Sequence, residues 1–149
     1  MKVALGCDHG GFVLKESVVN ALNVFGAEIV DFGTNSTDSV DYPIYAKKVA
    51  EAVASGECEC GVLLCGTGIG MSIAANKVKG IRAAVISDLF SAKATKEHNN
   101  ANIITMGGRL VSPEYAAMIL NEWLEAKYQG GRHQNRIDLI EQIENEYFK

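Results

Sequence analysis

Short apolar runs alternate along this chain with segments whose apolar residues recur every three to four positions. The runs fall at 3–7, 28–32, 61–64, 83–86 and 102–106. Between the first two, residues 12–25 carry Leu14, Val18 and Leu22 at helical spacing and close on Gly26. Pro43 suits the first position of a second helix, with Tyr45, Val49 and Val53 on its apolar face. Further helices are expected over 71–77, from 88 to about 97, from 113 to about 128, and from about 134 to 147. A strand, a helix and another strand in succession cannot close as a hairpin. The crossover makes the strands parallel and puts helices on both faces of the sheet. The fold class is therefore α/β, a three-layer α/β/α sandwich around a five-stranded parallel sheet, with the strand order 2-1-3-4-5. At 149 residues the chain suits one such domain, 1–149, and no repeat, low-complexity tract or linker divides it.

Composition narrows the function classes. A net charge of −4 and a pI near 5.4 argue against a broad nucleic-acid surface. No apolar run approaches the roughly 20 residues that span a bilayer, and the start, Met1-Lys2-Val3-Ala4-Leu5-Gly6, turns polar too early for a signal peptide. A cytoplasmic protein is expected, with no nucleic-acid or membrane partner. The four cysteines, at 7, 58, 60 and 65, then read as thiols. Cys58-Glu59-Cys60 lacks the C-x-x-C spacing and a downstream pair, so no metal is expected. Cys7 and Cys60 sit within or beside apolar runs and read as buried structural thiols.

In a doubly wound sheet, ligands gather at the carboxyl ends of the strands. There this sequence concentrates its polar chemistry. The first run exits into Cys7-Asp8-His9-Gly10-Gly11, the third into Cys65-Gly66-Thr67-Gly68-Ile69-Gly70, and the fifth into Gly107-Gly108-Arg109. A strand that empties through alternating glycines into a helix lays backbone N–H groups around one small space, suited to an anion or a developing oxyanion. A thiol at the mouth of that space, Cys65, lies where a helix start can favour the thiolate. Asp8 alone reads equally as a turn residue. The chain has three histidines, His9, His98 and His133, all beside glycine or asparagine loops. Arg132, His133 and Arg136 crowd the start of the last helix while Glu141, Glu144 and Glu146 follow, the reverse of what the helix dipole favours. A bound anion rationalises that charge order and is favoured over a solvated basic turn that is merely tolerated.

Taken together, several segments resemble the ribose-5-phosphate isomerase type B family, which includes galactose-6-phosphate isomerase subunits. They are Gly6 to Phe12, Asp41-Tyr42-Pro43, Cys65 to Gly70 with Ser72 to Lys77, Gly80-Ile81-Arg82-Ala83, His98-Asn99, and Gly130-Gly131-Arg132-His133-Gln134 with Arg136. They run in the family's order over essentially the whole chain. The glycine loop is moderately specific and the ordered set highly so.

The resemblance implies a Rossmann-like α/β/α sandwich, a homodimer or dimer of dimers with the active site at the subunit interface, and no cofactor. The reaction it implies interconverts D-ribose 5-phosphate and D-ribulose 5-phosphate through an enediolate, in the pentose phosphate pathway. Cys65 matches the family's catalytic base. Members lacking that cysteine use a glutamate further along, where this chain has Ala74-Ala75, so the cysteine subtype is implied. His98, with Asp8, would open the sugar ring; Thr67 would shuttle a proton between O1 and O2. The amides of Gly66, Thr67, Gly68, Ile69 and Gly70 would hold the enediolate oxygens. His9, Arg109, Arg132 and Arg136 would grip the phosphate, and Tyr42 and Asn99 match other positions lining the site. His98, Asn99 and Arg109 are expected from the neighbouring subunit. Two rivals stand beside this reading. One is a six-carbon sugar phosphate as substrate. The other is a non-catalytic nucleotide-binding module, which the loop disfavours because position 71 is Met where G-x-G-x-x-G needs glycine.

Overall fold

A computed structural model describes residues 1–148. Strand β1 (Lys2–Cys7) leads into helix α1 (Phe12–Phe25), β2 (Glu28–Asp31), α2 (Tyr42–Ala54), β3 (Cys60–Cys65) and α3 (Ile69–Ala75). Strand β4 (Ala83–Val85), α4 (Leu89–Asn99), β5 (Ile103–Gly107), α5 (Pro113–Glu125) and α6 (Arg132–Tyr147) complete the chain. Local chemistry sets the ends of these elements. Gly26, at φ 87°, closes α1 by donating its N–H back to Asn23 and Leu22. Asp88 and Ser112 cap α4 and α5, accepting from the N–H groups of Ser91 and Tyr115.

All pairings are parallel, as the alternation requires. The strand order is β2-β1-β3-β5-β4, which corrects the expected 2-1-3-4-5. Burial explains the exchange. Every residue of β5 is buried, with Ile103 packing on one face of the sheet and Ile104 and Met106 on the other, so β5 needs a neighbour on each side. Strand β4 is three residues long, and its Val85 is 40% exposed, so it can serve only as an edge. The expected order had kept β3, β4 and β5 in chain sequence.

Helices α1, α4 and α5 cover one face, over Leu5, Leu14, Ile104, Ile119 and Trp123. Helices α2 and α3 cover the other, over Val49, Leu63, Met71 and Ile103. Helix α6 buries little besides His133 and Ile137, and leaves Leu139, Ile140 and Ile143 half-exposed or more. Among the described residues no helix is long and apolar enough to cross a membrane. In register, Cys7 lies opposite Leu64 and Cys65 opposite Gly107, so the carboxyl ends of β1, β3 and β5 form one level edge.

Candidate active site

Three loops meet at that edge. The β1–α1 loop turns on Asp8, which is 5% exposed and whose Oδ1 accepts from the N–H groups of Gly10 at 2.8 Å and Gly11 at 3.0 Å. The turn presses against β3 so closely that any side chain at position 11 would collide with the backbone of Leu64. His9 follows, its Nδ1 accepting from the N–H of Val40 at 3.1 Å. A ring nitrogen that accepts carries no proton, so neutral His9 bears its proton on Nε2.

Cys65 ends β3 at 4% exposure, and the N–H of Gly68 donates to its Sγ at 3.1 Å. That contact needs the left-handed backbone of Gly68, at φ 79°. The N–H of Ile69 donates to Thr67 Oγ1 at 3.2 Å, which leaves the threonine's own hydroxyl proton free to donate. Two of the five loop amides expected to face a ligand are thus engaged inside the loop, while Gly66, Thr67 and Gly70 line the cleft. Helix α3 begins at Ile69, earlier than the expected 71, so Gly70 lies in its first turn. Tyr42, in the first turn of α2, lays its ring over Gly70, where a β-carbon would stand 2.6 Å from ring atom Cζ.

The third loop brings Arg109. Gly108 N–H donates to Cys65 O at 2.8 Å and Arg109 N–H to Gly66 O at 3.0 Å, placing the guanidinium against Gly66. Arg109 of the same chain therefore lines the cleft, which corrects its expected place on a neighbouring subunit. The strand order is the cause. With β5 beside β3, the β5–α5 loop adjoins the glycine loop instead of lying beyond another strand. These loops enclose a cleft of about 200 Å³.

Burial pushes Cys7 and Cys60 up to about 11, and raises Cys58 as well. Those three are structural thiols, as expected for Cys7 and Cys60.

His98, Asn99, Arg132 and Arg136 do not join Cys65. The first two end α4, whose carboxyl end faces the amino edge of the sheet where β5 begins. Helix α6 starts at Arg132, slightly before the expected position, and its first turns carry Arg132, His133 and Arg136. His98 and His133 stack there, with ring centroids 4.5 Å apart and planes 14° from parallel. Burial lowers the pKa of His133 from its ordinary value, and His98, Arg132 and Arg136 lower it further. Two groups escaped assignment from sequence: His133, whose stacking joins residues far apart in the chain, and the backbone of Val40, which orients His9. The crowding of cations at the start of α6 and the segment Gly130-Gly131-Arg132-His133-Gln134 pointed to His133 without giving it a role.

The ribose/galactose isomerase family model matches residues 3–140. The chain belongs to that family. Ribose-5-phosphate isomerase B of Escherichia coli is 52% identical over 143 residues, which cover 96% of each chain. Galactose-6-phosphate isomerase subunit LacB of Clostridium acetobutylicum is 42% identical, over 99% of this chain and 91% of its own. Among solved structures, ribose-5-phosphate isomerase B of Clostridium thermocellum superposes with a TM-score of 0.96 at 51% identity, covering 99% of both chains. This family member is a sugar phosphate isomerase with the Rossmann-like fold of its relatives.

Proposed function

We propose that the chain interconverts D-ribose 5-phosphate and D-ribulose 5-phosphate, as a cytoplasmic step of pentose phosphate metabolism. The observation that carries this is Cys65, held by the Gly68 amide at the mouth of a cleft small enough for the reacting end of one sugar. The Cys65 thiolate takes the proton from C2, an enediolate forms, and the same group returns the proton to C1. The carbonyl moves from C1 to C2 within the substrate, so atoms and electrons balance without a co-reactant. The N–H groups of Gly66, Thr67 and Gly70 hold the enediolate oxygens, a contribution of about 3 kcal/mol for each well-placed donor. Thr67 carries the proton between O1 and O2. Asp8 holds the turn that carries His9, and Arg109 and His9 reach the phosphate from the same chain.

His98, Asn99, Arg132 and Arg136 complete the site from a second copy of the chain. Two features support this: these residues lie away from the edge that carries Cys65, and Leu139, Ile140 and Ile143 leave an uncovered apolar face on α6 beside them. His98 of that copy, with Asp8, opens the furanose ring. A coupled assay comparing ribose 5-phosphate with galactose 6-phosphate and allose 6-phosphate tests the substrate. A higher kcat/KM for the pentose supports the proposal, and a higher value for either hexose replaces it.

A further inference from the structure

Arg82 stands between the two halves of the histidine–arginine cluster. Its backbone N–H, just before β4, donates to Asn102 Oδ1 at 2.8 Å, and Asn102 Nδ2 donates to Gly80 O at 2.8 Å. Gly80 in turn donates its N–H to Glu144 Oε1 of α6 at 2.7 Å. The guanidinium reaches toward α4. Nε donates to Asn99 O at 3.1 Å and Nη2 to Asn100 O at 3.0 Å. These carbonyls close α4, where a helix runs out of internal donors and its dipole is negative. Asn100, at φ 45°, is the one non-glycine residue with positive φ among the described residues, and it turns the chain out of α4 just after His98 and Asn99. A planar guanidinium meets two successive carbonyls with donors fixed in one rigid fork; an ammonium on a flexible stem fixes their geometry less tightly.

We infer that Arg82 is a positioning residue. By clamping the carbonyls of Asn99 and Asn100 while its own segment is tied to α6, it sets where α4 presents His98 and Asn99 relative to His133, Arg132 and Arg136. The inference rests on the proposed role of His98 in ring opening. A helix cap that only adds stability would leave the reaction untouched once the chain is folded. A clamp acts on the geometry of the histidine pair.

The experiment uses full-length Arg82→Ala and Arg82→Lys, with three readouts: kcat and KM for ribose 5-phosphate, the proton resonances of the His98 and His133 rings, and rescue by added guanidinium. In Arg82→Ala the ring-current shifts from the stacked pair should collapse toward free histidine. Its kcat should fall about tenfold to a hundredfold, the scale of a misplaced catalytic group, with KM changed by less than about threefold. Guanidinium should restore part of kcat, and Arg82→Lys should fall between the two. If Arg82→Ala folds poorly, the resonances and kcat of the lysine variant carry the test. Unchanged resonances in both variants would overturn the inference whatever kcat does. Failure of the underlying reading looks different: His98→Asn would keep full kcat, and the resonances alone would then decide whether Arg82 positions the pair.

Discussion

The two polar clusters of this chain lie at opposite edges of one sheet and are built in different ways. The Cys65 cleft is built largely of backbone: loop amides and glycines that let three loops touch, with two pinned side chains and the single guanidinium of Arg109. The α4–α6 cluster is made of side chains and is cationic. Among the described residues, no carboxylate lies within ion-pair distance of Arg132 or Arg136. Fixed backbone dipoles suit a charge that forms and disappears at fixed atoms during a reaction. An excess of guanidinium suits a charge that is permanent. The contrast matches a sugar phosphate with its reacting carbons at one end and its phosphate at the other.

Substitution at the cleft should have the larger effect on turnover. Cys65→Ala should lower kcat by about a thousandfold or more, within the range general bases contribute, while sugar phosphate still binds by calorimetry. Near-normal turnover in this variant would remove the base and leave the cleft a binding site. Mixing Cys65→Ala with His98→Ala chains asks whether one site draws on both clusters. Each parent should be nearly inactive. A mixed dimer has one site built from two intact halves, so random reassociation should recover about a quarter of native activity. No recovery would place both clusters' work within one chain, against the geometry of α4.

At the cationic cluster, Arg132→Ala and Arg136→Ala should raise KM for ribose 5-phosphate about tenfold to a hundredfold, the worth of a charge-assisted contact, with a smaller change in kcat. Equal losses in both parameters would mean that these arginines act in the transition state and not mainly as a handle.

Much of this was legible in the sequence, for identifiable reasons. The alternation of periods gives the parallel sheet, and helix α1 occupies the expected 12–25 because Gly26 ends it. The cleft was legible because strand ends carry it. Strand order was not, since adjacency in the chain says nothing about which strand needs two neighbours. Burial of β5 decides that, and Arg109 moved with it. The His98–His133 stack was invisible because neither residue lies on a periodic face. What placed them together is the packing of α6 against α4, a contact between elements separated by β5 and α5.

The smallest expected effect separates the clusters by pH. Burial and the neighbouring cations hold the His133 pKa below its ordinary value of 6.5. The folded chain therefore binds this proton more weakly than the unfolded chain does. Below about 6.5 the unfolded state carries the extra proton, so the stability contributed by neutral His133 is present above that value and is lost as the pH falls toward the folded pKa. Tm should drop as the pH is lowered from 7 to 5, and His133→Gln should flatten the drop by a few degrees. A bound dianion offsets His98, Arg132 and Arg136 and lets His133 take its proton in the folded chain. Sulfate, whose charge is constant over this range, should then raise Tm more at pH 5 than at pH 7 in the native chain. In Arg132→Ala with Arg136→Ala that difference should vanish, whereas Cys65→Ala should keep it. A sulfate effect independent of pH would deny the cationic cluster its anion and leave the cleft as the only polar centre with a defined occupant.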